Sequence, residues 1–523
     1  MCIENDPRQR RDHRSGTSGR HVAPLIALAA WFSIGADCQL GGIQQLTLTP
    51  NPGNNLAAVI AFETSVAVTP KVTVIGPDGS WVVPSSGILS TAPGTAHEVM
   101  VLGLKAEAHY AFTVADADHR LVPDSSLTYD SGPLPADFPE IEIRVSHPEA
   151  RNPGFVLVVD NDVASLKSWL IVLDEQGAPR WYWSDDVTVN EGTTGIRRLA
   201  NGEIALLTYD WTRVRFVDPL GRVRELVAKD IGLDNVHHDL ARMPGGHLLT
   251  VSTELRAISG FPGEPGPLNI AGDVLSELTP AGDIVRQWRL LDILDPHRLP
   301  FPQDSHFWDR AYPGVTGIKD WGHSNGLFHD DSDDGLVVSS LNQQLLFEID
   351  AKTSKLRWVI GGNDPDTSGD DAWPFLARVG SGKTSTRHHS AQVVDGRYLF
   401  TYDNGNGPGG SRGWGVDLNP AARTYSEVFS WKDPAYDPPV TTPIGGDCDA
   451  LANGNVLVFD ATARFDGQGG QRLTEVRSSD GAKVFEAIFP GSASFNVDPI
   501  PVDGGVVPTE GSPREAALYP AIQ

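Results

Sequence analysis

The chain has 523 residues, of which 40% are hydrophobic, so it is long enough for two domains with packed cores. Its 67 acidic residues outnumber its 41 Lys and Arg, and the formal charge of -26 argues against nucleic acid or an anionic membrane surface as the main partner. Three cysteines exclude a disulfide framework. The 54 Gly and 39 Pro, without any long amphipathic helical run, favour a turn-rich all-β protein.

Residues 1–38 have the features of a signal peptide. A leader with five arginines precedes the apolar run 22–36, which is too short to span a bilayer comfortably. Cys38 follows this run directly, as in a lipoprotein, although Asp37 is not the small residue usual before such a cysteine. We therefore expect an exported protein that is periplasmic, secreted or held at the cell envelope by a lipid on Cys38, with simple secretion favoured.

Residues 42–137 predict a small N-terminal β-sandwich of the immunoglobulin or fibronectin type III kind. Short alternating stretches are separated by turn residues, which is the pattern of such sandwiches. These stretches read IQQLTLTPNP, LAAVIAFETS, KVTVIGPDG, HEVMVLGL and HYAFTVADAD. We expect no chemistry in this domain, only packing against the main domain or a role in assembly.

From residue 138 to about 500 one pattern recurs, and it predicts a six-bladed β-propeller. Its clearest copy lies in 320–362, where four strand-like segments and two turns form a four-stranded antiparallel meander. Each copy pairs an opening strand with a second hairpin that often ends in Trp. The copies lie near 150–187, 193–230, 236–292, 321–362, 386–432 and 445–490.

Several segments interrupt or follow these copies. Inserts at 253–275, 293–319, 363–387 and 404–413 exceed ordinary hairpin loops and predict a lid or rim over one face. The first copy has a degenerate opening half, and the sequence leaves open whether residues after 490 add a strand to it.

The alignment of the copies also predicts a functional site. It places His238, His323 and His389 at the start of the innermost strand, with Thr194 and Asp447 at matching positions. Because innermost strands line the channel of a propeller, these side chains should converge at one mouth. Two chemistries fit three imidazoles there: a zinc-like metal site with an open position, or covalent catalysis by one imidazole while the others bind an anion.

The remaining histidines rank lower. His237 and His388 should alternate away from the channel if their strands are regular. We interpret His247 and His329 as structural residues.

At these positions the sequence resembles the bacterial arylsulfate sulfotransferase family, which consists of exported six-bladed propellers with a small N-terminal β-sandwich. The resemblance covers nearly the whole mature chain, and DWxHxN followed by a Ser-Ser strand is its most specific part. The matching segments are HHD (237–239), DWGHSN (320–325), SSLNQ (339–343), HHSAQ (388–392) and DNGNG (403–407).

The resemblance implies transfer of a sulfuryl group from a phenolic sulfate donor to a phenol acceptor, with neither a nucleotide sulfate donor nor an added cofactor or metal. It implies that His389 is the nucleophile and that His238 and His323 stabilise the sulfuryl oxygens and donate a proton. Asn325 matches the family's asparagine, and we group it with Thr194 and Asp447 as substrate-binding residues. A homodimer is compatible with the resemblance.

One position departs from the family pattern. Leu341 stands where the family has an arginine that holds the sulfuryl oxygens, and losing that contact removes about 3 kcal/mol of transition-state stabilisation. Arg197, Arg387 or Lys383 could compensate. Two alternatives therefore stay open beside the sulfotransferase: a catalytically silent or altered-specificity binding propeller, and a histidine-metal hydrolase that also uses Asp239 and Asp447.

Overall fold

The structure is a computed structural model that describes residues 42–91, 93–117, 125–162, 166–186, 192–299, 301, 306–361, 373–405, 409–465, 467–501 and 514–521. The predicted signal peptide, with Cys38, lies outside the described residues. Strands dominate the described part, where the one α-helix is the single turn α1 (Leu290–Ile293). The prediction of an all-β protein is confirmed. No helix within the described ranges is long and apolar enough to cross a bilayer.

Short 3-10 turns join some of the strands. They comprise Ser85–Gly87, Pro148–Ala150, Ala228–Ile231, Pro244–Gly246, Pro420–Ala422 and Arg514–Leu518.

The region predicted as a sandwich contains two antiparallel sheets. The strands are β1 (Ile43–Asn51), β2 (Asn54–Val68), β3 (Pro70–Gly76), β4 (Gly79–Val82), β5 (Gly94–Val101), β6 (His109–Asp116) and β7 (Ser125–Asp130). One sheet has the order β1-β2-β5 and the other β4-β3-β6-β7. Buried and more exposed residues alternate along β3 and β6, as period-2 strands with one apolar face require. Apolar side chains of both sheets, such as Leu56 and Phe112, belong to one buried cluster.

Six further sheets, here numbered 1 to 6, follow along the chain. Their strands begin with β8 (Glu142–Ser146), β9 (Gly154–Asp162), β10 (Lys167–Leu173), β11 (Pro179–Asp186), β12 (Thr193–Arg198), β13 (Ile204–Thr208), β14 (Arg213–Val217), β15 (Val223–Val227), β16 (His237–Arg242), β17 (Leu248–Ile258), β18 (Leu268–Leu278), β19 (Ile284–Arg289) and β20 (Ile318–Asp320). They continue with β21 (Ser324–Asp330), β22 (Gly335–Ser340), β23 (Leu345–Asp350), β24 (Leu356–Gly361), β25 (Ala377–Val379), β26 (His388–Val394), β27 (Tyr398–Asp403), β28 (Arg412–Asn419), β29 (Thr424–Trp431), β30 (Asp447–Ala450), β31 (Asn455–Phe465), β32 (Gln468–Arg477), β33 (Lys483–Pro490) and β34 (Asp498–Pro501).

Sheets 2 to 5 are antiparallel meanders of four consecutive strands, β12–β15, β16–β19, β21–β24 and β26–β29, and β30–β33 make the same meander in sheet 6. Two short strands add to this plan by parallel pairing, β20 on β18 and β25 on β29. Sheet 4 is the stretch with the clearest sequence pattern, and its four strands lie where the sequence predicts them.

The two ends of the repeat region exchange strands. Sheet 1 has the order β11-β10-β9-β34, so its first strand comes from the C-terminal part of the chain. Sheet 6 gains β8 beside β33, so an early segment completes the last sheet. This exchange explains the degenerate opening half of the first copy, and it answers the question left open about the residues after 490.

The first strands of the sheets lie side by side in the order β34, β12, β16, β21, β26 and β30. The backbone N–H of Val497, one residue before β34, donates to the Oδ2 atom of Asp447 in β30 at 3.3 Å. The six first strands therefore form a ring, and residues that begin these strands lie near one another.

Tryptophans in fourth strands connect neighbouring sheets. The indole N–H of Trp181 donates to Pro219 O at 2.8 Å, and that of Trp288 donates to Ala351 O at 3.0 Å. Trp431 repeats this contact with Gly481 O at 3.0 Å. In each case the acceptor lies in a turn of the next sheet. Burying a Trp is favourable when its N–H finds such a partner, which accounts for the recurring Trp at the end of the sequence pattern.

The prediction of an insert at 253–275 is partly wrong. Strand β17 runs on to Ile258 and β18 starts at Leu268, so most of this segment extends the central hairpin of sheet 3. Of the insert at 363–387, residues 363–372 lie outside the described part, as do 406–408 of the fourth insert.

Candidate active site

His238, His323 and His389 meet at one end of the ring of first strands. His238 lies in a β-bulge, because β16 pairs with β17 at His237 and at Leu240 but at neither residue between them. Its φ of 62° places it in the left-handed region. A bulge in a first strand redirects a side chain out of the regular alternation.

The predicted equivalence of the three histidines is wrong for His323. Asn325, and not His323, is the second residue of its strand, as His238 and His389 are of theirs. His323 precedes β21 and has a φ of 53°, so it reaches the site from the loop before the strand. The histidines converge in space although their positions in the repeat differ.

The rings of the site are in direct contact. The centroids of His238 and His323 lie 4.7 Å apart. Phe495 connects this pair to His389, with its ring centroid 5.3 Å from His238 and 5.4 Å from His389. His238 is 8% exposed and His389 is 3% exposed, so water has little access to either ring.

The described part of the insert at 293–319 packs over the histidines. The Phe307 ring lies 4.3 Å from that of His323 and 5.7 Å from that of His238. Trp308 is fully buried and packs edge-on against His237 at 4.9 Å. The contacts of Phe307 and Trp308 line the site with aromatic rings, as a rim or lid over one face would.

His323 is paired with a carboxylate. Its Nδ1 lies 2.6 Å from Oδ2 of Asp320, and the indole N–H of Trp308 donates to Oδ1 of the same carboxylate at 2.8 Å. Burial alone would lower the pKa of His323, but the charge and hydrogen bond of Asp320 outweigh it and raise that pKa. The arrangement favours a protonated imidazole at this position.

His389 is paired with a neutral amide instead. Its Nδ1 lies 2.6 Å from Oδ1 of Asn404. Burial lowers the pKa of His389 to about 3; the hydrogen bond to Asn404 opposes this shift, while the positive charges of neighbouring groups add to it. His389 is therefore an uncharged imidazole over the whole neutral pH range. Within the described residues its Nε2 has no hydrogen-bond partner.

His238 is also neutral. Burial and the neighbouring His323 hold its pKa well below the usual range. Its Nδ1 lies 2.7 Å from Nδ1 of His237, whose Nε2 is 3.8 Å from Oδ1 of Asp273. His237 thus belongs to the site by direct contact, which the predicted strand alternation did not show. His388 is fully buried, and neither of its ring nitrogens has a partner among the described groups.

Asn325 presents a hydrogen-bond donor. The hydroxyl of Ser339 donates to Oδ1 of Asn325 at 2.9 Å, which orients the amide. Nδ2 of this fully buried residue has no partner in the described part of the chain. Such an unpaired donor, two residues after His323 in the chain, is a candidate partner for the oxygen of a ligand.

The two other predicted substrate-binding residues lie apart from the histidines in their contacts. The Thr194 hydroxyl donates to Leu207 O at 3.4 Å. Asp447 accepts from Cys448 N and Val497 N, and it lines a separate cavity of about 400 Å³ with Asp449. Nothing in these contacts brings Thr194 or Asp447 to the three imidazoles.

The cations considered as replacements for the family's arginine differ in their placement. Arg197 lines the separate cavity and forms an ion pair with Asp239 at 3.2 Å, so its charge is already paired. Leu341 itself lies beside the site, because its backbone N–H donates to His323 O at 3.2 Å. Arg387 and Lys383 are exposed, and Arg387 acts on His389 by its charge.

The structure also tests the arrangement that a metal needs. Across the described ranges, no three His, Cys, Asp or Glu side chains are placed to hold one ion. His247 and His329 bond to Glu277 at 2.7 Å and to Asp334 at 3.1 Å, in keeping with structural roles.

Together, the fold and the site define an all-β protein with a histidine cluster at one end of its ring of first strands. In this cluster a buried neutral histidine and a carboxylate-paired histidine lie beneath aromatic side chains. The family Arylsulfotransferase (ASST) matches residues 142–497. The chain belongs to this family, as the sequence motifs predicted. No curated protein matches it significantly.

Solved structures show more distant likenesses. Virginiamycin B lyase from Staphylococcus aureus is 11% identical, with 83% of this chain and 98% of that one covered at a TM-score of 0.33. An auxiliary nutrient binding protein from Bacteroides thetaiotaomicron is 9% identical, with 88% and 91% covered at a TM-score of 0.29. These values carry no conclusion about function.

Besides His237 and Trp308, further residues that shape the site were missed by sequence reasoning. Asp320 and Asn404 stand within the motifs DWGHSN and DNGNG, so a signal was present, although the pairing with a histidine was not visible. Phe307 and Phe495 lie in segments between or after the repeats, where no periodic pattern marks a residue as part of the site.

Proposed function

We propose that the protein is an exported aryl sulfotransferase that moves a sulfuryl group from a phenolic sulfate ester to a phenol without a nucleotide donor. One observation carries the proposal: a neutral, buried His389 and a carboxylate-paired His323 share one aromatic-lined site. A neutral imidazole is a nucleophile and a paired imidazolium is an acid, so the site holds both partners of a displacement reaction.

In the first half-reaction the lone pair on Nε2 of His389 attacks the sulfur of the donor. A nitrogen–sulfur bond forms as the sulfur–oxygen bond to the phenol breaks. The leaving phenolate takes a proton from the imidazolium of His323, which becomes neutral. The products are a sulfohistidine at His389 and a free phenol.

In the second half-reaction the neutral His323 takes the proton of the acceptor phenol. The phenolate oxygen attacks the sulfur, and the nitrogen–sulfur bond breaks with its electron pair returning to Nε2 of His389. His323 is again protonated and His389 is again neutral, so the cycle consumes no cofactor. It predicts double-displacement kinetics.

The sulfuryl oxygens need partners because they carry the charge of the transition state. His323 supplies positive charge, and the unpaired Nδ2 of Asn325 supplies a hydrogen-bond donor. Phe307 and Phe495 offer faces on which a phenol can pack. We assign these residues to the binding of the phenolic sulfate.

We further propose that sheets 1 to 6 are the blades of a closed six-bladed propeller spanning residues 138–500. The exchange of β8 and β34 between its ends supports closure. The two sheets of 42–137 form the immunoglobulin-like sandwich in this proposal, and the signal at 1–38 directs export.

A binding propeller without catalysis is the second candidate, and Leu341 is the observation that favours it. A leucine beside His323 cannot replace the charge-assisted contacts of an arginine. Such a protein would keep the histidines to capture an aryl sulfate and would release it unchanged.

Intact-mass spectrometry separates the two candidates. The mature protein is mixed briefly with nitrophenyl sulfate and quenched in base. A gain of one sulfuryl group that is absent in His389→Ala supports the sulfotransferase. Binding of the ester without an adduct and without release of nitrophenol, in a folded protein, supports the binding propeller. Nitrophenol release without an adduct, abolished by a chelator, would instead support a metal hydrolase.

A further inference from the structure

We propose that Asn404 is the positioning residue of the nucleophile: it fixes the ring orientation and the tautomer of His389, with the hydrogen on Nδ1 and the lone pair on Nε2. This inference rests on the proposed function, because it concerns the reactivity of the same histidine. It adds a residue that lies 15 positions along the chain from His389, beyond strand β27, and outside the histidine motifs.

The orientation of the Asn404 amide is determined by its other contacts. Its Nδ2 donates to the carbonyl oxygens of Thr442 at 2.6 Å and Gly445 at 2.8 Å. A carbonyl oxygen cannot donate, so the nitrogen of the amide must face Thr442 and Gly445, and the oxygen must face His389. The hydroxyl of Ser411 donates to the backbone oxygen of Asn404 at 3.0 Å and holds this loop further.

The tautomer of His389 follows from that orientation. Oδ1 of Asn404 is an acceptor only, and it lies 2.6 Å from Nδ1 of His389. Nδ1 must therefore carry the hydrogen, and Nε2 must carry the lone pair. The opposite tautomer would place a hydrogen on Nε2, where the attack on sulfur has to occur.

The comparison with His323 shows what the amide contributes. Both histidines offer Nδ1 to a side-chain oxygen at 2.6 Å, but the partner of His323 is the carboxylate of Asp320. A carboxylate stabilises an imidazolium by its charge, whereas an amide orients the ring and leaves burial to disfavour the charged form. The difference between a carboxylate oxygen and an amide oxygen thus gives His323 and His389 different roles.

The presence of an amide, and not a carboxylate, beside Nδ1 of His389 also affects the second half-reaction. A sulfohistidine that keeps the hydrogen on Nδ1 carries a positive charge on its ring, and that charge makes the ring a good leaving group. A carboxylate at position 404 would neutralise this charge and slow the breaking of the nitrogen–sulfur bond. Asn404 leaves the charge uncompensated, so the sulfuryl group stays transferable.

The experiment compares Asn404→Ala and Asn404→Asp with the matched control Asn455→Ala in the full mature protein. Asn455 is also a buried amide whose Nδ2 donates two hydrogen bonds, to Ala150 O at 2.8 Å and Glu475 Oε1 at 2.7 Å, and it touches none of the three histidines. For each protein, the rate of adduct formation with nitrophenyl sulfate and the pH dependence of kcat/KM are measured.

We expect Asn404→Ala to form the adduct roughly tenfold to a hundredfold more slowly, since such supporting contacts have effects of this size. Asn404→Asp should move the acidic limb of the kcat/KM profile to higher pH and should let the adduct accumulate. Asn455→Ala should keep the parent rate and profile. Parent rates and profiles in both Asn404 variants would overturn the inference, as would equal losses in Asn455→Ala.

Nitrogen NMR of the ¹⁵N-histidine parent protein gives a readout that does not require either Asn404 variant to fold. With His389→Ala used to assign the signal, an unprotonated Nε2 on a neutral ring supports the inference, and a protonated Nε2 overturns it. Persistence of the adduct in His389→Ala would refute the proposed function itself. An adduct lost in His389→Ala but unaltered by changes at Asn404 would refute only this inference.

Discussion

Nδ1 of His323 and Oδ2 of Asp320 lie 2.6 Å apart, although both side chains are nearly buried. The pair is stable in this setting because Trp308 also donates to the carboxylate, at 2.8 Å. The raised pKa of His323 means that its charge is present at pH values below that pKa and is lost as the pH rises through it. The pairing therefore extends to higher pH the range in which His323 can donate a proton to a leaving phenolate.

We predict that Asp320→Asn moves the alkaline limb of the kcat/KM profile to lower pH. Without the carboxylate of Asp320, only the charge of Asp273 still opposes burial, so the pKa of His323 falls and the imidazolium is lost at lower pH. At neutral pH the rate with unsubstituted phenyl sulfate should fall by about a hundredfold, because general acid catalysis contributes effects of that order. The rate with nitrophenyl sulfate should fall less, since nitrophenolate leaves with little help from an acid.

The control for this prediction is Asp330→Asn, which changes another buried carboxylate at the far end of β21. It should leave the alkaline limb in place. An Asp320→Asn enzyme with the parent profile for both esters would show that His323 is not the proton donor.

A second prediction concerns the departure at position 341. Leu341→Arg should raise kcat/KM for an aryl sulfate by up to about a hundredfold, because a guanidinium beside His323 can hold the sulfuryl oxygens in the transition state. Steady-state kinetics at low ionic strength measures the gain. Leu89→Arg adds the same charge at an exposed position of the N-terminal region and should change nothing. A loss of activity in Leu341→Arg, with the fold intact, would mean that this chain binds the anion differently from its family.

Much of the fold was visible in the sequence because local patterns encode it. Period-2 segments and turn residues mark the strands of sheet 4, and the structure places strands there. The exchange of β8 and β34 was not predictable in the same way. It joins segments more than 300 residues apart, and neither segment carries a signal that names its partner strand.

The site was only partly predictable for a similar reason. Repetition pointed to His238, His323 and His389, but it assumed equal strand positions, and the bulge at His238 and the loop position of His323 break that assumption. The oxygen partner Asp320 raises the pKa of His323, and the oxygen partner Asn404 fixes the tautomer of His389, whose charge is disfavoured by burial. Such pairings depend on tertiary distances, which spacing along the chain does not give.

A third prediction tests the support of strand β27 behind His389. Tyr402 is paired with His389 in the sheet, and its buried hydroxyl donates to Asp460, which also binds Arg472. Tyr402→Phe should lower the free energy of unfolding by about 1–3 kcal/mol, because it leaves a buried carboxylate short of a donor. Urea denaturation followed by fluorescence measures this change.

Tyr436→Phe is the matched comparison, since the Tyr436 hydroxyl bonds to the partly exposed Arg144. It should cost less than Tyr402→Phe. Equal costs would show that the contact with Asp460 adds nothing beyond the removal of a hydroxyl.

The last prediction concerns the recognition of the aromatic ring. Phe495 lies 5.3 Å from His238 and 5.4 Å from His389, so a phenol bound at the histidines should pack against its ring. Phe495→Leu keeps an apolar side chain and removes the aromatic contact, which contributes about 0.5–1.5 kcal/mol and corresponds to a roughly two- to tenfold rise in KM. The kcat should change less, because the contact forms before the displacement. Phe429→Leu makes the same exchange in the buried cluster behind Tyr402 and should leave KM unchanged. If both variants have the parent KM while the protein stays folded, the phenol does not bind against Phe495, and Phe307 becomes the ring to test.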